Sequence, residues 1–242
     1  MNTPAKATEI PKDNKPLDSQ QIYDFIFKAI ADRQLPPGKK LSEERLSKIF
    51  NVSRTRLREV FFRLAQDKII TLEPNRGAFV VKPTVKETRE VFAARRAIEV
   101  AIIEELTNKG NSTVFKALAN HLMKEETARK AGDRQKLNQL TGEFHLLLAE
   151  LTNNSLFYDI TRRLIALSSV IISLYDSPTA NECEDFEHEA IVNAIKTNNA
   201  QLAKELLLNH LNHVEHSLEI DDNSTSSFDV EAVFENMIKA QL

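Results

Sequence analysis

Seven of the eight prolines lie at or before Pro83, and only Pro178 follows. A proline removes a backbone donor and clashes with the preceding helical turn. The first third of the chain is therefore broken into short pieces, whereas the rest is free to be helical almost throughout. Charge divides at the same place. Residues 1–90 hold 18 Lys+Arg against 12 Asp+Glu, and residues 91–242 hold 14 against 23. A basic part joined to an acidic helical part suggests two tasks, the first of them on a polyanion. The 242 residues, 42% of them hydrophobic, allow one large domain or two modest ones. Cys183 is the single cysteine, which excludes an intrachain disulfide and makes a reducing cytoplasm the natural compartment. The polar stretch "MNTPAKATEIPKDNKPL" lacks the apolar core of a signal peptide. No run of about 18 apolar residues occurs, so no membrane span is expected.

Residues 1–17 read as a disordered arm. Asp18 with Gln21 forms a capping box that opens a helix whose apolar face is Ile22, Phe25, Ile26, Ala29 and Ile30. Ser42 caps a short helix to Phe50, "NVS" (51–53) makes a tight turn, and Ser53 caps a third helix to about Gln66. Two β-rich runs then flank Pro74-Asn75-Arg76-Gly77, a hairpin signature. Three helices and a hairpin make a winged helix-turn-helix. The third helix carries Arg54, Thr55, Arg56 and Arg58 in its first turns, opposite Leu57, Val60, Phe61 and Leu64. A recognition helix enters the major groove by its N-terminal end, and arginine forks suit guanine edges and phosphates alike. Ser53 and the first free N–H groups suit a phosphate, and the wing tip at Asn75-Arg76-Gly77 suits the adjacent minor groove or backbone.

"LPPGKKLSEERLSKIFNVSRTRLREVFFRLAQDKII" and "PNRGAFV" resemble the DNA-binding domain of the GntR family of bacterial transcription regulators over residues 20–83. The resemblance implies DNA contacts from Arg54, Thr55, Arg58 and Gly77. The family often has an arginine where Glu44 stands here, with Arg45 one place later as the alternative contact.

From the capping box of Thr84 and Glu87 a long helix runs to about Asn108. Further helices are expected near 113–130, 134–152, 155–175, 181–197 and 200–219, punctuated by Gly110, Gly132, Asn153-Asn154, Pro178 and Asn198-Asn199. The expected architecture is mainly α: a winged helix-turn-helix over 18–83, an all-α antiparallel bundle over 84–220, then a linker and amphipathic C-terminal helix over 221–242. The bundle holds no phosphate loop, HExxH or G-x-S-x-G. It does hold six histidines. His188 precedes the Asn198-Asn199 turn by about ten residues, and His210 follows it by about eleven. At about 1.5 Å of rise per residue, antiparallel helices bring the two to one height. His145, in "TGEFHLLLAEL", is also mid-helix. Three such imidazoles make a facial metal set with open positions, or they are ordinary core histidines. His213 rivals His210, and His121 and His216 read as surface residues.

"RRAIE" (95–99), "EFHLLLAELTNNSLF" (143–157) and "EHEAIVNAIKTNNAQLAKELLLNHL" (187–211) resemble the FCD ligand-binding domain of the FadR subfamily. The resemblance implies a divalent metal, commonly Zn²⁺, on His145, His188 and His210, with Arg95 reaching a small carboxylate effector. The family's fourth ligand is an aspartate where Thr141 stands here. Arg163, near the height of His145, is a weaker candidate for the pocket. Arg95 also has a purely structural role open to it, an ion pair with Glu99 one turn on. The chain thus reads as a homodimeric, cytoplasmic regulator, a repressor, on a near-palindromic double-stranded operator. Three alternatives stand beside it: direct effector binding without metal, a DNA-binding scaffold whose helical domain senses no ligand, and a metal-dependent hydrolase, for which Glu143 and Glu150 lie on the wrong faces.

Overall fold

The structure is a computed structural model that describes residues 17–175 and 187–218. The N-terminal arm, the residues around Cys183 and Pro178, the first residues of the helix expected from 181, and the linker and C-terminal helix expected over 221–242 lie outside the described residues.

The winged helix-turn-helix forms from α1 (Ser19–Ala31), β1 (Lys40–Leu41), α2 (Glu43–Ile49), α3 (Arg54–Gln66), β2 (Ile70–Glu73) and β3 (Gly77–Val80). The caps are those the sequence encodes. Asp18 accepts from the Gln21 N–H at 2.8 Å, and the Gln21 side chain accepts from the Asp18 N–H at 2.9 Å. Ser42 and Ser53 accept from the N–H groups of Arg45 and Arg56. Asn51, between α2 and α3, takes φ +52°, a left-handed conformation that asparagine tolerates. The hairpin closes with Asn75 at φ +60° and Gly77 at φ +105°, the latter a conformation that favours glycine. The sheet has one strand more than expected. β1 pairs antiparallel with β3 through Lys40–Phe79 and Leu41–Ala78, giving the order β1-β3-β2.

The helical half comprises α4 (Val85–Lys109), α5 (Ser112–Lys130), α6 (Arg134–Leu151), α7 (Ser155–Tyr175), α8 (Glu187–Lys196) and α9 (Ala200–His216). Asn153 (φ +57°) and Asn198 (φ +55°) turn the chain between successive helices, so α6 and α7 run antiparallel, as do α8 and α9. The core of the bundle joins Ile102 and Leu106 of α4, Leu118 of α5, Phe144 and Leu148 of α6, Ile191 and Ile195 of α8, and Leu207 and Leu211 of α9. Two charged residues, Arg95 and Glu99, lie on the inward stripe of α4 and are 3% and 2% exposed. Burying a charge pair costs several kcal/mol of desolvation unless its geometry compensates, so this pair marks a place where the bundle does more than pack. No helix among the described residues is long and apolar enough to cross a membrane.

α7 joins the two halves. Its Ala166 and Val170 are buried in the winged-helix core beside residues of α1. Arg162 pairs with Asp24 and lies over the rings of Phe27 (4.2 Å) and Tyr23 (5.4 Å). Arg163 pairs with Asp67 at 3.0 Å, and the Tyr23 hydroxyl donates to Asp67 at 2.6 Å.

Candidate metal centre and nucleic-acid interface

α6, α8 and α9 each contribute one buried histidine to a single point. Ring nitrogens of His145, His188 and His210 all lie within 4.8 Å of one another, and the three residues are 4%, 7% and 2% exposed. Each Nδ1 faces a carboxylate: His145 faces Glu99 at 2.6 Å, His188 faces Glu125 at 3.0 Å, and His210 faces Glu187 at 2.7 Å. An ionised carboxylate only accepts, so each Nδ1 must be the donor, and each neutral imidazole then presents a lone pair at Nε2. Phe144 stacks on His188, with centroids 4.0 Å apart, and fixes that ring further.

The resulting arrangement is electrostatically incomplete. The Nε2 atoms of His145 and His210 stand 3.3 Å apart as facing acceptors. The Nε2 of His188 is buried without a partner among the described residues. Two nitrogens bound to one tetrahedral zinc at about 2.0–2.1 Å stand about 3.3–3.4 Å apart. The donor set, the spacing of the His145–His210 pair and the orphaned nitrogen of His188 therefore fit a divalent ion. Burial is the main cause of the low imidazole pKa values, which fall to about 3 for His145 and about 4 for His210 despite the nearby carboxylates. For the carboxylates burial works the other way and is overcome. The charge of Arg95 and the contact with His145 hold Glu99 at about 2. Hydrogen bonds from their histidine partners hold Glu125 and Glu187 at about 2.

Arg95 sits against this cluster. Its Nε donates to Glu99 at 2.7 Å, which is the ion pair one turn on, while its Nη2 is buried with no partner among the described residues. A cavity of about 440 Å³ lies between α5, α6 and α8, with Glu125, Arg129, Thr141, Glu187, His188 and Lys196 among its walls. Thr141 donates its hydroxyl proton to the Asn138 carbonyl at 2.9 Å, so the helix itself holds that group.

Two expectations need correction. Arg163 is not at the pocket: it is half exposed and turned toward Asp67 of the winged helix. Height along α7 does not fix the side of the helix: Arg162 faces Asp24 of α1, and Arg163 faces Asp67 at the end of α3. His121 is not a surface residue. It is 6% exposed, its Nε2 lies 2.9 Å from the Leu140 carbonyl, and it contacts Glu125 at 3.4 Å. His213, the rival of His210, faces the second oxygen of Glu187 at 3.0 Å from a partly exposed position. Sequence reasoning missed Glu125 and Glu187 altogether and gave Glu99 only its arginine. The i,i+4 spacing of His121 and Glu125 was the one available signal.

On the other half, Arg45, Ser53, Arg54, Thr55, Arg56 and Arg58 are exposed around the start of α3, and Arg76 is exposed at the wing tip beside Gly77. Carboxylates hold several of these arginines in place. Arg58 donates to Glu43 at 2.8 Å, Arg54 lies 3.7 Å from Glu44, and Arg76 pairs with Glu73. Such exposed pairs are worth about 0–1 kcal/mol, so a phosphate or guanine edge can take the guanidinium at little cost. Glu44 also binds Lys48 at 3.0 Å, and Arg45 is exposed next to it on α2.

Known proteins share both halves. The model of the bacterial regulatory proteins of the gntR family matches residues 18–80, and that of the FCD domain matches residues 90–213. This chain belongs to the GntR family. Its FCD half is the helical domain that carries the histidine cluster. The HTH-type transcriptional repressor RspR of Escherichia coli K12 is 27% identical over 201 residues, covering 83% of this chain and 88% of that protein. The gluconate operon transcriptional repressor of Bacillus licheniformis is 29% identical over 188 residues, covering 75% and 77%. A GntR transcriptional regulator from Rhodococcus sp. RHA1 superimposes with a TM-score of 0.72 at 24% identity, over 82% of this chain and 95% of that one. E. coli McbR/YncC gives 0.72 at 16%, over 80% and 93%. These two structures speak for the fold alone. GntR-family proteins are transcription regulators and not enzymes, so this chain is a regulator and the hydrolase alternative falls away.

Proposed function

We propose that this GntR-family regulator is a cytoplasmic, homodimeric repressor whose hold on a near-palindromic operator is set by a small organic acid bound at a metal in the FCD domain. Residues 18–83 would contact DNA through Arg45, Ser53, Arg54, Thr55, Arg56, Arg58, Arg76 and Gly77, and residues 84–220 would sense and dimerise. The observation that carries the sensing role is the convergence of ring nitrogens from three buried histidines, with Arg95 tied to His145 through Glu99. His145, His188 and His210 would hold the ion. When bound, a divalent ion of the Zn²⁺ type supplies a Lewis-acidic position that a carboxylate can occupy. Arg95 would donate to that carboxylate, and Thr141 would line the space beside it without competing as a charged ligand. The gluconate operon repressor among the relatives makes sugar acids a sensible first class to test.

α7 offers the route to DNA. It packs against α6, where a Cβ on Gly142 would meet Ile165 at 3.4 Å, and its other side is built into the winged-helix core. An acid that favours one arrangement of α6 against α7 would shift the winged helix, by no more than its difference in affinity for the two arrangements. Three carboxylates around the histidines, Glu99 and Glu125 buried and Glu187 partly exposed, count against metal-free binding of an anion. The test is elemental analysis of untagged protein. About one divalent ion per chain is expected, and none in the H145A/H188A/H210A variant. Metal-free wild type that still releases operator on adding an acid would refute the metal reading.

A further inference from the structure

We infer that Glu99, Glu125 and Glu187 are positioning residues of the histidine centre, fixing all three imidazoles with Nε2 inward and supplying the negative charge that a buried dication requires. The inference rests on the metal reading above and goes beyond it to residues outside the ligand set.

A cluster of three neutral imidazoles presents good lone pairs but no charge, and moving a dication into a buried neutral site forfeits much of its hydration energy. The structure answers this one shell out. Each of the three rings meets its own carboxylate at Nδ1, at 2.6, 3.0 and 2.7 Å. The three carboxylates come from three different helices: Glu99 from α4, Glu125 from α5 and Glu187 from α8. Such contacts select the tautomer, orient the ring and raise the basicity of the ligating nitrogen. The charges are not equivalent. Glu99 also takes the Nε–H of Arg95 at 2.7 Å, so its charge is largely answered within the protein. Among the described residues Glu125 and Glu187 meet imidazoles and no other base: Glu125 meets His121 and His188, and Glu187 meets His210 and His213. These two carboxylates hold the charge that an incoming cation would neutralise. The alternative is purely structural: Glu125 would tie α5 to α8, and Glu187 would tie α8 to α9.

Full-length protein stripped with a chelator is titrated with Co²⁺ at pH 8, by equilibrium dialysis and by the visible d–d spectrum. Wild type is compared with E187Q, E187A and E125Q after each melt is recorded. Glutamine can still accept from Nδ1–H but carries no charge, whereas alanine does neither. Loss of such an outer contact typically costs 10–100-fold in metal affinity. About 10-fold weaker binding is expected for E187Q and E125Q, with the d–d bands of the wild type kept. About 100-fold is expected for E187A, with altered bands. Glu187 is partly exposed, and E187Q preserves its shape, so the comparison survives if E187A does not fold. Equal Co²⁺ affinity and unchanged spectra in E187Q and E125Q would overturn the inference while leaving the metal site standing. A wild type that binds no Co²⁺ would overturn both.

Discussion

Acidifying the metal-free protein should cost it a large share of its stability above about pH 5. Burial holds the imidazoles of His145 and His210 neutral, with pKa values of about 3 and about 4. In the unfolded chain both return to about 6.5. Between about pH 4 and pH 6.5 the unfolded state therefore binds two protons that the native state refuses, and stability falls as pH falls. Each proton contributes about 1.4 kcal/mol per pH unit, so the slope approaches about 3 kcal/mol per unit. Against a total stability of about 5–15 kcal/mol, two units of acidification remove a large share. Glu99, Glu125 and Glu187 add to the loss only below about pH 4.5, where unfolded glutamates begin to protonate. His121 has the opposite sign. Its contacts with Glu125 and the Leu140 carbonyl outweigh burial and raise its pKa, so its contribution is complete below about 6.5 and is lost only at higher pH.

The assay is urea unfolding followed by circular dichroism, in chelator, at half-unit steps from pH 7.5 to 5. The slope should be near zero at the alkaline end and approach two protons by pH 5.5. It should drop by most of that amount in H145A/H210A, whatever the absolute stability of the variant. A wild-type slope below one proton, or an equal slope in the double variant, would refute the assignment of neutral, buried imidazoles.

Three further outcomes are expected. Arg58→Ala and Arg54→Ala should abolish specific operator binding in an electrophoretic shift with helical content intact, and each lost phosphate contact should lower the salt slope by about one; unchanged binding at physiological salt would count against α3 as the recognition helix. Thr141→Asp adds a carboxylate at the wall of the cavity and should tighten Co²⁺ binding in equilibrium dialysis; unchanged or weaker binding would place residue 141 outside the reach of the ion. Arg162→Ala removes the Asp24 pair and the contact with the Phe27 ring, together worth about 1–2 kcal/mol. The thermal melt should then broaden or split relative to the wild type and operator release should lose its dependence on the FCD site, whereas a wild-type melt and response would exclude α7 as the coupling element.

The features legible in the sequence are those set by local chemistry. The capping boxes at Asp18 and Thr84, the left-handed asparagines at 51, 75, 153 and 198, and the hairpin around Gly77 depend on neighbouring residues only, and each forms as its sequence specifies. β1 escaped notice because two residues are too few to show alternation; its pairing with β3 is a tertiary event. The histidine cluster was accessible through a mixed argument. Rise per residue sets the height of a side chain in an antiparallel bundle, and the apolar runs around His145, His188 and His210 set their facing. Arg163 has the height and an apolar stripe beside it, Ala166, Leu167 and Val170, but that stripe packs on the winged-helix core, which no local pattern discloses.

The carboxylates around the cluster fall in a different class. Glu125 lies within "MKEETARK" and Glu187 at the start of α8, and by local pattern both belong on a solvated face. An i,i+4 partner looks the same in sequence whether the pair is exposed, as in Lys86–Glu90, or buried, as in Arg95–Glu99. What distinguishes them is the exclusion of water by other helices. That difference converts a contact of a few tenths of a kcal/mol into one that fixes a tautomer and balances an ion. Ligands that project from apolar stripes can thus be read from a single chain, whereas the charges that support them become visible only when the helices are packed.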